Sequence, residues 1–185
     1  MNFNEHSVLR DKHAFLSPSN YHWINYTDQK LDARWASARA AARGTALHDY
    51  ARQAIFLGIR QARIQQTLNQ YINDAIGYQM NVEQPLFYSP NCFGTADTIS
   101  FKKGLLRVHD LKTGISPTSH SQLEVYVAIF CLEYSVSPFD IGMELRIYQN
   151  NEIKVHIPDP EKILFIMDKI IRYDQRIEEL KEGDL

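Results

Sequence analysis

The chain has 185 residues, of which 44% are hydrophobic and 23% are charged, and its formal net charge is −2. This length is enough for one domain with a real core, and the composition is typical of a globular protein. A net charge near zero excludes strong attraction of the whole molecule to nucleic acid, so binding of that kind would need a local basic surface.

The cysteine content and the hydropathy of the sequence exclude further classes of protein. The two cysteines, Cys92 and Cys131, cannot form a four-cysteine zinc site or an iron–sulfur cluster, and we interpret both as small apolar residues in a reducing compartment. No apolar run approaches the ~18 residues of a membrane span, and the N-terminus lacks the apolar core of a signal peptide. We therefore expect a cytoplasmic protein with no membrane contact.

Helical spacing dominates the first part of the chain. Residues 1–27 form a polar and aromatic N-terminal extension, and residues 28–80 form a helical part. Within that part, residues 28–57 are rich in alanine and arginine, which favour helix. A second helix is predicted at about 61–79, where apolar residues recur on one face.

The pattern then changes to the period of strands. Three strands are predicted at 81–88, 92–101 and 105–112, and a hairpin at 140–149 and 152–157 turns at Asn150-Asn151. Residues 121–134 have helical spacing and cross over between the third and fourth strands, and residues 158–185 form a C-terminal helix. This order predicts a single α/β domain, residues 1–185, with a central mixed sheet of about five strands (81–157) flanked by helices.

Two acids and a lysine stand on the second and third predicted strands. Asp97 follows Gly94-Thr95-Ala96, and Asp110 and Lys112 end the next strand. Because strand side chains alternate, Asp110 and Lys112 point the same way. Such a group can hold a hard divalent cation and orient a water, which suits phosphodiester hydrolysis. The alternative is that the acids end a strand and cap a turn, and that Lys112 is a solvated lysine.

Four motifs occur in a fixed order: Gly44-Thr45-Ala46-Leu47-His48, Gly94-Thr95-Ala96-Asp97, Asp110-Leu111-Lys112-Thr113-Gly114 and Gln122-Leu123-Glu124-Val125-Tyr126. Together they resemble the PD-(D/E)xK nuclease superfamily, in particular its RecB, Cas4 and phage exonuclease branch, over about residues 44–126. The resemblance implies a restriction-endonuclease-like core and Mg²⁺ or Mn²⁺ as cofactor. The missing cysteine cluster departs from the Cas4 pattern, so no iron–sulfur cluster is expected.

The resemblance implies a role for each residue of the acidic core. Asp97 and Asp110 bind the metal, and the backbone carbonyl of Leu111 is often a further ligand. Lys112 orients and activates the attacking water or stabilises charge on the scissile phosphate. Glu83, on the first strand, could help to bind the metal, although a glutamate at a strand edge is common.

Three helical residues complete the implied site. His48 would be a metal ligand or a group near the metal, whereas a lone helical histidine is more often a packing residue. Gln122 and Tyr126 stand four apart on one helical face and would line the site. The alternative for this pair is the polar edge of an ordinary amphipathic helix.

A basic segment offers a local surface for phosphates. Six arginines and one acid lie between residues 34 and 63. Arg39, Arg43 and Arg52 are the predicted DNA contacts. The alternative is a well-solvated helix, because arginine is a good helix former.

The sequence therefore predicts a metal-dependent deoxyribonuclease, an exonuclease acting on DNA ends rather than an endonuclease. We expect a place in phage recombination or DNA repair in a bacterial or phage-infected cell. Besides DNA, partners could include a recombination or single-strand-binding protein and further copies of the chain. One alternative is a catalytically inactive DNA-binding or assembly module with the same fold. Another is an unrelated metal enzyme or interaction domain in which the motif is accidental.

Overall fold

The computed structural model describes residues 14–183, so residues 1–13 of the predicted N-terminal extension lie outside the described residues. In chain order the elements are a 3₁₀ helix (Pro18–Asn25), α1 (Asp28–Phe56), α2 (Thr67–Gly77), β1 (Asn81–Ser89), β2 (Cys92–Lys102), β3 (Leu105–Leu111), α3 (Ser121–Glu133), β4 (Gly142–Gln149), β5 (Glu152–His156) and α4 (Pro160–Gly183). Over the described range, no helix is long and apolar enough to cross a membrane.

The chain divides into two compact units, residues 1–45 and 46–185, and α1 contributes to both. In the described part of the first unit, the Trp23 indole donates a hydrogen bond to the Ser17 carbonyl at 3.0 Å. The rings of Phe15 and Trp35 meet edge to face, with their centroids 5.1 Å apart. The single domain over residues 1–185 stays a prediction.

The second unit is built on a five-stranded sheet in the order β1-β2-β3-β4-β5. β1 with β2, β2 with β3, and β4 with β5 are antiparallel, whereas β3 and β4 are parallel and joined through α3. A parallel pair needs a crossover connection of this kind. The predicted α/β class, with a five-stranded mixed sheet flanked by helices, is confirmed.

Two apolar layers cover the sheet. Leu106 and Val108 of β3 pack in the cluster that contains α3 and α4, whereas Leu111 packs in the cluster of α2 and the end of α1. This division follows from alternation, because successive strand residues face opposite sides. The C-terminal end of β3 is therefore held between helices on both of its faces.

The second helix begins later than its pattern predicts, at Thr67 instead of residue 61. The backbone of Gln61 is held by the Asn73 side chain, which accepts from the Gln61 N–H at 2.9 Å and donates to the Gln61 carbonyl at 3.1 Å. The Asn151 side chain accepts from the Thr67 N–H at 3.0 Å. Because side chains satisfy these backbone groups, the segment before Thr67 does not need helical hydrogen bonds.

A buried polar network lies under β3 and β4. His109 is fully buried, and its Nδ1 lies 3.3 Å from the Tyr148 hydroxyl, which donates to Asp74 at 2.7 Å. Arg146 donates to the same Asp74 carboxylate oxygen at 3.0 Å. Burial lowers the pKa of His109 to about 3, and the charges of Arg146 and Arg107 act in the same direction.

His109 should make the protein sensitive to acid. An unfolded histidine has a pKa of about 6.5, so below that pH the unfolded state binds more protons than the folded state. Stability therefore falls as the pH falls from about 6.5 towards about 3. Between about pH 6.5 and about pH 5, we expect His109 to cost the wild type about 2 kcal/mol of stability, and we expect His109→Leu to lack this loss. Urea unfolding at the two pH values measures the difference. Equal pH dependence in both proteins would contradict a neutral buried His109.

Candidate metal centre

Neighbouring strands bring the two predicted acids together. The β2–β3 ladder pairs Thr98 with His109, and continuing the register by one residue sets Asp97 beside Asp110. The Leu111 N–H donates to Asp97 Oδ2 at 3.1 Å. The backbone of Leu111, whose carbonyl is a predicted metal ligand, thus also orients the first acid through its N–H.

Asp110, Lys112 and Gln122 form one hydrogen-bonded row. The Lys112 ammonium donates to Asp110 Oδ1 at 3.0 Å and to Gln122 Oε1 at 3.0 Å. Asp110 lies near the end of β3, Lys112 directly follows the last residue of β3, and Gln122 lies in the first turn of α3. Two acceptors on different elements therefore fix the position of the ammonium group.

Both oxygens of Asp110 lie close to the Lys112 ammonium. The residue is only 4% exposed. Its Oδ1 accepts the hydrogen bond from Lys112, and its Oδ2 also lies 3.0 Å from the ammonium nitrogen. Because cationic charge stabilises a buried carboxylate, a divalent cation between Asp110 and Asp97 would add to the effect of Lys112.

Opposing effects act on the pKa of the Asp97 carboxyl. His48 Nδ1 lies 3.6 Å from Asp97 Oδ2, farther than a hydrogen bond. Burial raises the pKa of the Asp97 carboxyl, and the nearby charge of Asp110 raises it further. The Leu111 N–H and His48 act in the opposite direction. Two carboxylates that repel each other in a partly buried place would both be stabilised by a divalent cation.

The donor set fits Mg²⁺ or Mn²⁺. Carboxylate oxygens suit both ions, and an imidazole nitrogen such as that of His48 suits Mn²⁺. Across residues 14–183, no three His, Cys, Asp or Glu side chains already stand together as a set of metal ligands. Mg²⁺ keeps several waters and is commonly held by one or two carboxylates, so Asp97 and Asp110 are enough to hold it.

Glu83 lies opposite Asp97 on the neighbouring strand. The β1–β2 register, which pairs Val82 with Thr98, sets Glu83 against Asp97. The charge of Glu83 adds to the effects that raise the pKa of Asp97. The structure therefore places this third acid near the site, on its exposed side.

The backbone of Glu83 is unusual. Its φ is 48°, in the left-handed region that residues other than glycine rarely adopt, at a cost of about 1–3 kcal/mol. Val82 packs with the α1–α2 cluster and Leu86 with the α3–α4 cluster, although strand alternation would put both on one side. The side chains of β1 therefore change the side of the sheet that they face at Glu83, beside Asp97.

Tyr126 connects α3 to the strand that carries Asp97. Its hydroxyl donates to the Thr95 carbonyl at 2.7 Å. A Cβ atom added at Gly94 would lie 3.1 Å from the Tyr126 ring, so the missing side chain leaves room for the ring. Gly94, Thr95 and Tyr126 thus act together to set the position of β2 against α3.

We expect Gly94→Ala to destabilise the protein by about 1 kcal/mol, because the new methyl group overpacks a ring that its hydroxyl holds in place. Urea unfolding measures this change. Gly77→Ala is the matched control, since a Cβ there would meet no atom within 4 Å. Equal stability of Gly94→Ala and the wild type would show that the Tyr126 contact does not constrain β2.

The predicted DNA contacts lie on α1. Arg39 and Arg43 belong to the first unit, where both are exposed. Arg52 belongs to the second unit, is exposed, and lies 3.9 Å from Asp49 at its nearest atoms. Contact of these arginines with DNA stays a prediction.

Tyr71 of α2, which the sequence did not indicate as a site residue, is a buried tyrosine on which the charges of the acids act. It is 2% exposed, and burial together with the charge of Asp97 raises its pKa well above the usual value. The charges of Asp110 and Glu83 act in the same direction, and Thr98 acts against them. All three carboxylates therefore disfavour ionisation of the phenol. Its only signal in the sequence is a tyrosine on a buried helical face, which needs a polar partner.

Comparisons with protein-family models, with curated proteins and with solved structures give no significant match to this chain. The resemblance to the PD-(D/E)xK nucleases therefore rests on the four motifs and on the contacts between their residues.

Proposed function

We propose that this protein is a deoxyribonuclease of the PD-(D/E)xK type, which hydrolyses DNA phosphodiester bonds with Mg²⁺ or Mn²⁺. The main support is Asp110, a buried carboxylate that is ion-paired with Lys112 and stands beside Asp97 of the neighbouring strand. A solvated lysine and a turn-capping acid would not show this arrangement. A bound divalent cation would offset the repulsion between the neighbouring carboxylates of Asp97 and Asp110.

Asp97 and Asp110 would hold the cation, with His48 as a further ligand or as a partner of Asp97. Once bound, the cation supplies Lewis-acid stabilisation of the charge that develops on the phosphate. Lys112 would orient a water for in-line attack, in which the water oxygen bonds to phosphorus as the bond to the leaving oxygen breaks. The attacking water gives up a proton to solvent, and the leaving oxygen takes one from solvent. Gln122 holds the ammonium group in place for this step.

The fold is compatible with a restriction-endonuclease-like core. Three antiparallel strands precede a helix and a fourth strand parallel to the third, and the acids lie on the second and third strands. We place the activity at DNA ends, in phage recombination or bacterial DNA repair in the cytoplasm, because the motifs resemble phage exonucleases and RecB. A recombination or single-strand-binding protein, or further copies of the chain, would be its partners.

Incubation of the purified protein with linear and covalently closed circular DNA, in Mg²⁺ or Mn²⁺ and in EDTA, tests the proposal. We expect EDTA-sensitive degradation of linear DNA and survival of the circles. Cleaved circles would indicate an endonuclease. DNA that is bound but never cut would favour the inactive module, and no cleavage of any DNA or RNA with either cation would refute the proposal.

A further inference from the structure

The loop between β3 and α3, residues 112–120, has both of its ends at the candidate metal centre. Lys112 is the first residue of the loop, and Gln122 stands in the first turn of the helix that follows it. Their side chains are joined by a hydrogen bond of 3.0 Å. The loop therefore leaves and re-enters the structure at the site and borders it.

The β4–β5 hairpin holds this loop at both ends. At its start, the Lys112 N–H donates to the Tyr148 carbonyl at 2.9 Å. At its end, His120 Nε2 lies 3.1 Å from the Lys154 carbonyl oxygen. The loop is thus tied to a rigid element that the proposed chemistry does not otherwise use.

A single buried amide holds the middle of the loop. Gln149, at the end of β4, is 2% exposed. Its Nε2 donates to the carbonyls of Gly114 at 2.6 Å and Ser116 at 2.8 Å, and its Oε1 accepts from the Thr118 hydroxyl at 3.2 Å. Three hydrogen bonds from one buried side chain specify the shape of the loop.

This shape exposes Ile115. The residue lies between Gly114 and Ser116, whose carbonyls both point to the same amide, and it is 87% exposed. A single exposed isoleucine needs no explanation by itself. Here, however, hydrogen bonds to the buried Gln149 amide hold the backbone on either side, so the fold itself keeps Ile115 in this exposed position.

We propose that residues 113–119 are a substrate-contacting element, in which Ile115 packs against a nucleobase of the DNA next to the bond that is hydrolysed. Three residues span at most about 10 Å, so Ile115 lies within about three nucleotide steps of a phosphate at Lys112. A nucleobase is the apolar surface that DNA offers at that distance. Gln149 is the positioning residue of the element. This inference rests on the proposed function.

Ile115→Ser tests the contact, because it changes only an exposed side chain. The probes are a labelled linear DNA duplex and bis(p-nitrophenyl) phosphate, a phosphodiester without a nucleobase. We expect kcat/KM to fall about tenfold on DNA and to change less than about twofold on the small diester. Leu180→Ser, at an exposed apolar position on α4, is the matched control and should change neither.

Gln149→Glu tests the positioning role, since it keeps the acceptor for Thr118 and removes both donors to the loop. We expect the same selective loss on DNA, with a folded protein by circular dichroism. An unchanged rate of Ile115→Ser on DNA, or equal losses on both probes, would overturn this inference and leave the proposed function standing.

The proposed function can fail separately. If the wild type hydrolyses neither probe, that function is wrong, and DNA affinity by fluorescence anisotropy then decides the inference. Weaker binding by Ile115→Ser than by Leu180→Ser would still support a base contact. Equal affinities, or no binding by the wild type, would overturn it.

Discussion

Asp110→Asn should abolish DNA hydrolysis, with a rate at least about 10³-fold below that of the wild type. The amide keeps the shape of the side chain and leaves an oxygen to accept from Lys112. It removes the negative charge that would attract the cation, and it replaces one carboxylate oxygen with an amide nitrogen, which is not a ligand for Mg²⁺. Cleavage of end-labelled linear DNA with excess Mg²⁺, followed on denaturing gels, measures the loss.

Circular dichroism and thermal unfolding must show that Asp110→Asn still folds. Asp140→Asn is the matched control, because it changes an exposed acid outside β2 and β3 and should keep full activity. A folded Asp110→Asn protein that cleaves within about tenfold of the wild type would be inconsistent with a catalytic cation at Asp110.

Lys112→Met should have two effects. Without an ammonium group to orient water or stabilise charge, hydrolysis should fall about 10²–10³-fold. In the absence of metal, the variant should also lose about 1–3 kcal/mol of stability, because the buried Asp110 carboxylate loses its cationic partner. Excess Mg²⁺ should restore part of this stability, since a cation bound to the folded state replaces the missing charge.

Urea unfolding with and without Mg²⁺ separates the two effects. Lys103→Met, at an exposed lysine in the β2–β3 turn, is the control and should change neither stability nor activity. In the double variant Asp110→Asn/Lys112→Met, the charge that was left unpaired is gone, so the stability loss should be smaller than in Lys112→Met alone. If the metal-free Lys112→Met protein were as stable as the wild type, the ion pair would not hold Asp110.

Local patterns predict much of this fold. Alternation along β3 correctly puts Asp110 and Lys112 on one side, and the Asn150-Asn151 turn has positive φ at both residues, 53° and 62°, as a two-residue hairpin requires. The strands begin and end close to the predicted residues because period, turn residues and glycine positions are properties of neighbouring residues.

Contacts between distant parts of the chain could not be predicted in the same way. The start of α2 depends on Asn73 and Asn151, and the burial of Tyr71 depends on how α2 packs on the sheet. Gln149 ends a strand 35 residues after the loop glycine that it holds. The left-handed backbone at Glu83 could not be predicted, because glycine is the residue expected in that conformation.

Within the site, the sequence predicts which residue types meet but not their electrostatic state. The spacing of the motifs does not show how close Lys112 and Gln122 lie, so their hydrogen bond could not be predicted from it. Burial raises the pKa of Asp97, and the repulsion from Asp110 that raises it further follows from the register of β2 against β3. These features arise only when the strands pair and the helices cover them.

The location of a bound cation tests the central claim most directly. Crystals grown with Mn²⁺ and measured near the manganese absorption edge would show the ion by its anomalous scattering. We expect one peak within about 2.2 Å of an Asp110 oxygen and of an Asp97 oxygen, and its loss in Asp110→Asn. A saturated crystal with no peak between Asp97 and Asp110, or with Mn²⁺ bound only elsewhere, would contradict the account.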